Sequence, residues 1–132
     1  MAGTVSILIY LIFLIVFREN EQIDFNTQIR PILNNKCITC HGGVKQSGGF
    51  SLLFPEEALR PNESGKPAIV PGHPGKSEMI KRITHEDPEL RMPLEKDPLS
   101  EEEIRLITAW IEQGAEWEDH WAFVKPETVE VL

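Results

Sequence analysis

The sequence predicts an all-α domain of three or more short helices, preceded by a separate hydrophobic helix. Three observations lead there: apolar residues recur at helical spacing in three stretches, no stretch alternates as a half-buried strand does, and start and stop signals bracket the longest helical stretch. At 132 residues the chain suits one domain with short appendages, so a single core is expected.

The first element is residues 1–17, "MAGTVSILIYLIFLIVF", which carry no charged side chain. As a helix they would be roughly 25 Å long, just short of the ~30 Å hydrocarbon layer. No Lys or Arg precedes the run, and "VFREN" follows it in place of a small-residue cleavage site. An uncleaved membrane anchor is therefore expected, with a signal segment as the alternative; either reading assigns residues 1–18 to this element. Next, Asp24 can cap a helix in which Phe25, Ile29, Ile32 and Leu33 share one face, and Pro31 inside the pattern should kink it. Residues 77–84 form a helix of about two turns with Met79, Ile80 and Ile83 on one side. In the last helix Ser100 and Glu103 make a capping box, Glu101 and Arg105 are expected to pair at i and i+4, and Gly114 is a stop signal. Its stripe of Ile104, Leu106, Ile107, Trp110 and Ile111 reads as core.

Residues 41–75 show little regular structure, apart from a possible extended piece in "GGFSLLF". Such a stretch is too long for a mere connector in a compact domain. Three short helices cannot bury enough surface alone, so a large apolar cofactor wrapped by this loop would supply the missing core.

The balance of 13 Lys+Arg against 21 Asp+Glu, a formal charge of -8, argues against a nucleic-acid surface and towards basic partners. The chain has 2 cysteines, too few for a disulfide scaffold or a four-thiolate zinc ribbon. They are Cys37 and Cys40 in "CITCH", with His41 behind them. In C-x-x-C-H two thiols can add to the vinyl groups of a haem while the adjacent imidazole binds its iron from the same side. A redox dithiol expects a βαβ context that these flanks lack. A zinc site would have to recruit two of His41, His73, His85 and His120, among which no compact H-x(3-5)-H pair exists. For the sixth position on a haem iron, Met92 is the candidate, because Pro93 stiffens its loop just before the last helix. The alternatives are His73, His85 or a core-filling role for Met92 like that of Met79. His120, Trp117 and Trp121 read as packing or linker residues.

The motifs "DFNTQIRPILNNKCITCHG", "GGFSLL", "AIVPGHPGKSEMIKRIT" and "RMPLEKDPLSEEEIRLITAWIEQGAEWEDHWAF" occur in that order. Together they resemble the planctomycete-type cytochrome c domain, a branch of the class I c-type cytochromes, over residues 24–123. The resemblance implies a small cytochrome c-like fold wrapped around covalent haem c on Cys37 and Cys40, with His41 as proximal and Met92 as distal iron ligand. Leu94 departs from the family, which often places a second proline there. In that family the domain is commonly one module of a larger secreted protein, and residues 124–132 resemble a lead-in to such a module.

A His/Met-ligated haem has no open position for substrate, so the expected function is single-electron transfer and not enzyme catalysis. The alternatives are a haem module of a larger enzyme or ligand sensor, or a zinc- or disulfide-held binding module. Haem attachment places the domain in the periplasm or an equivalent compartment, tethered through residues 1–17. The acidic surface calls for a redox partner with a basic docking patch.

Overall fold

The computed structural model describes residues 21–119. The hydrophobic segment 1–17, the tail 124–132, His120 and Trp121 lie outside the described residues. Among the described residues the chain forms four short α-helices and no strand, and no helix is long and apolar enough to cross a membrane.

Asp24 starts the first element as expected: its carboxylate accepts the Thr27 N–H at 2.7 Å. The Phe25–Ile29 segment is a π-helical turn, and α1 (Arg30–Lys36) follows without a break. Pro31 is the second residue of α1, immediately past the change from π to α pitch, and cannot donate a helical hydrogen bond there. The predicted kink is thus a change of helical pitch just before the proline. Phe25, Ile29, Ile32 and Leu33 are all buried.

The long loop holds more structure than its composition suggests. Residues Pro55–Leu59 form α2, which was not expected, with proline in its first turn and Glu56 and Glu57 favourably placed near its N-terminus. Single 3-10 turns occupy Ser47–Gly49 and Pro74–Lys76. No strand forms in "GGFSLLF"; isolated bridges join His41 to Gln46 and Pro61 to Pro67. The fully buried Ser77 hydroxyl accepts the Val70 N–H at 2.9 Å and donates to the His73 carbonyl at 3.0 Å. It thereby folds the "VPGHPG" loop back onto α3 (Glu78–Ile83).

The last helix, α4 (Glu101–Glu112), carries the full capping box between Ser100 and Glu103. Arg105 pairs with Glu102 at i+3, not with Glu101: its guanidinium donates to both carboxylate oxygens at 2.7 Å. Gly114 follows the helix with φ 113°. Ile107, Trp110 and Ile111 are buried, while Ile104 and Leu106 are only partly so.

The two ends of the described chain meet. Phe25, Trp110 and Trp117 form an aromatic cluster with centroid separations of 4.7–5.9 Å, and Arg30 lies 4.8 Å over the Phe25 ring. The Gln113 side chain accepts the Ile23 N–H at 2.8 Å and donates to the Glu21 carbonyl at 2.9 Å. Asn26 donates to Glu118 and Asp119, and Arg30 donates to the Glu118 carbonyl. Trp117 is therefore a packing residue, as expected.

Candidate functional site

α1 delivers the cysteine motif. Cys37 ends the helix by donating its N–H to the Leu33 carbonyl, and the chain then turns tightly, with the Cys40 and His41 N–H groups both donating to the Cys37 carbonyl at 3.1 and 2.9 Å. Gly42 follows at a point of very close approach, where any side chain would run into the Ile38 carbonyl.

His41 is held from several sides. Its carbonyl accepts the Leu52 N–H at 2.8 Å, and its Nδ1 lies 2.8 Å from the Ser47 carbonyl. Ser47 is presented by a turn in which Gly48 and Gly49 take φ of 72° and 74°. The carbonyl is a hydrogen-bond acceptor only, so Nδ1 carries the proton and Nε2 keeps its lone pair. That the acceptor is Ser47 is legible only in three dimensions. Phe50 stacks on the imidazole at 4.5 Å and 26°, a contact for which the sequence held no signal.

Cys37, Cys40, His41 and Met92 all line one cavity of about 490 Å³. That volume lies within the range of small-molecule and cofactor sites, roughly 300–1,000 Å³. Much of its wall is apolar, from Phe50, Leu52, Ala68, Met79, Ile83 and Leu99. Met79 is buried in the core and also faces the cavity.

Met92 reaches the cavity from the opposite end of the sequence. Its N–H donates to the Arg82 carbonyl at 2.9 Å, tying its loop to α3, and the following Met92–Pro93 bond is cis. His73 and His85, the alternatives to Met92, do not line the cavity. His73 is exposed, and His85 Nδ1 accepts the Asp87 N–H at 3.1 Å.

Both cysteines are free thiols. Burial, and secondarily the charge of Glu103, push the Cys37 thiol up to about 12, so it keeps its proton at neutral pH. Burial also holds the His41 imidazole below its ordinary pKa, assisted by the Lys45 charge and opposed by the Ser47 hydrogen bond. The ring is thus neutral at pH 7, the form in which imidazole binds metals. Among the described residues no three His, Cys, Asp or Glu converge as a metal cage.

No curated protein and no solved structure matches the chain. The family model described as Planctomycete cytochrome C matches residues 37–95, a segment that opens on Cys37 and closes just after Met92. The matched segment contains the whole C-x-x-C-H motif, the long loop with α2, α3 and the Met92 loop, and over residues 37–95 the chain is similar to that family.

Proposed function

We propose that this chain is a c-type cytochrome that transfers single electrons through a haem attached at Cys37 and Cys40 and ligated by His41 and Met92. One observation carries the reading: these four side chains, from loops far apart in sequence, line the same largely apolar cavity. The family match to residues 37–95 points the same way, since cytochrome c domains bind haem c.

The donor set suits that group. Two free thiols, an imidazole with Nε2 available and a thioether, set around an apolar cavity, fit an iron porphyrin better than a small hydrated ion. When bound, the haem supplies a one-electron iron couple and two vinyl groups. Cys37 and Cys40 would hold the group through thioether bonds, each S–H adding across one vinyl double bond with nothing lost. The Ser47 carbonyl fixes the His41 tautomer and orientation, and Phe50 limits rotation of the ring. With His41 and Met92 both holding the iron, substrate would have no place to coordinate, which favours a carrier over an enzyme.

The proposed domain spans residues 24–123, follows a hydrophobic anchor or signal segment at 1–18 and precedes a tail at 124–132. Cytochrome c domains are typically extracytoplasmic, and a periplasmic location with a membrane tether through residues 1–17 fits the hydrophobic start. The charge of -8 favours a redox partner with a basic docking patch, so association should slow as salt rises. The deciding experiment is the alkaline pyridine spectrum of denatured protein matured with a haem-ligation system. Covalent haem c is expected; colourless protein with the mass of bare polypeptide would refute the reading.

A further inference from the structure

The cavity's charge runs against that of the chain. Acidic residues outnumber basic ones 21 to 13 in the sequence, yet the cavity lining holds Lys36, Lys45, Arg82 and Lys96 against only Glu78 and Glu95. Glu78 is already committed, with Lys81 Nζ at 3.1 Å and Lys66 Nζ at 3.6 Å. An apolar cavity with surplus cations is suited to an apolar ligand that carries anionic groups.

Among the four cations Arg82 stands apart. It is the one guanidinium of the set; it is half-buried, as is Lys36, whereas Lys45 and Lys96 are exposed, and it has no hydrogen-bond acceptor or ion-pair partner among the described residues. With no partner on the protein, that guanidinium is free to take an acceptor inside the cavity it lines. Its planar fork of donors matches a carboxylate in a way that a lysine ammonium does not. Its backbone is also engaged, because the Arg82 carbonyl accepts the Met92 N–H at 2.9 Å.

We infer that Arg82 is the carboxylate anchor of the cavity: its guanidinium pairs with the propionate carboxylates of the bound haem while its main chain positions Met92. This rests on the haem reading above and adds a residue to it. One α3 residue then ties the ligand loop to the anionic edge of the prosthetic group. The other charged or titratable groups lining the cavity are Cys37, Cys40, His41, Lys36 and Lys45 on the motif side, Glu78 on α3, and Glu95 and Lys96 beyond Met92.

The test uses holoprotein of wild type, Arg82→Gln and Arg82→Lys, titrated electrochemically from about pH 5 to about pH 9, with covalent haem measured separately in pyridine. All three should retain covalent haem, since the attachment points are untouched. Arg82→Gln should lower the reduced-to-oxidised ratio at a fixed driving potential by about tenfold. It should also make the midpoint fall with rising pH where wild type is flat, because an unpaired carboxylate takes up a proton on reduction. Arg82→Lys should lie between. An Arg82→Gln profile superimposable on wild type, with haem fully attached, overturns the Arg82 assignment and leaves the haem reading intact. Wild type without covalent haem overturns both. Should Arg82→Gln fail to fold, the wild-type holoprotein decides through its ¹H–¹⁵N spectrum. An Arg82 Nε–H signal slow to exchange supports the pairing, and one that exchanges like that of exposed Arg60 refutes it.

Discussion

Gly42→Ala should damage the site more than any pattern in the sequence suggests. Gly42 does not have a left-handed φ, so the conformation itself admits alanine. Space is the obstacle: an added Cβ would lie within van der Waals overlap of the Ile38 carbonyl and 2.9 Å from Ile38 Cγ2, about 1 Å short of ordinary contact at the carbonyl. That carbonyl cannot swing aside easily. The Ile38 N–H is tied to the Leu33 carbonyl at 3.0 Å, the turn is closed by the Cys40 and His41 N–H groups, and the Gly42 N–H is held by the Lys45 carbonyl at 2.8 Å. Relief must therefore come from moving the turn that carries Cys37, Cys40 and His41. Forced overpacking of this kind costs about 1–3 kcal/mol. For a domain of this size each kcal/mol lowers Tm by about 4–8 °C. Thermal unfolding of the holoprotein, followed in the Soret band, measures the loss, and the yield of covalent haem should fall with it. Gly75→Ala is the control, because a Cβ there meets nothing within 4 Å and φ is not left-handed. If Gly42→Ala melts and matures like wild type, the close-approach argument is wrong.

Met92→Ala should abolish the far-red iron–sulfur absorption band while leaving haem attached; persistence of the band would clear Met92 of the ligand role. Phe50→Leu removes the ring that stacks on His41 at 4.5 Å, and should shift the electron-paramagnetic g-values of the oxidised protein without loss of haem. Unchanged g-values would show that the Ser47 hydrogen bond alone sets the ring. The Lys81 hydrogen bond, followed by the charges of Lys81, Lys66 and Arg82, holds the Glu78 carboxyl below its ordinary value of 4.5. The unfolded chain then takes up the proton first, so this contribution is present above pH 4.5 and is lost as pH falls through the lower folded value. Glu78→Gln should accordingly flatten the acid limb of holoprotein stability near that pH, and an unaltered acid limb would contradict the assignment.

What the sequence disclosed was chemistry and local rules. The cysteine motif was legible because its function depends on spacing within five consecutive residues. The Asp24 cap and the Ser100–Glu103 box were legible because their partners stand three residues away. Arg105 was assigned to the wrong acid because Glu101 and Glu102 both lie within reach on a helix, and the rotamer that selects one leaves no trace in sequence. α2 escaped because five residues are too few for periodicity, although Pro55, Glu56 and Glu57 are sound start signals. Ser47, Phe50 and Arg82 acquire their roles through tertiary contact. A carbonyl at 2.8 Å, a stacked ring and an unpaired guanidinium belong to no local pattern.

The clamp of Gln113 on Glu21 and Ile23, together with Asn26 and Arg30 reaching Glu118, brings the two borders of the described domain side by side. Polypeptide joined upstream and polypeptide joined downstream would set out from neighbouring points on its surface. Such a unit can be spliced into a loop of another protein with little distortion of either, and it tolerates re-cutting of its termini. A unit built this way is portable: its neighbours in a longer chain need supply only a short gap between two anchor points.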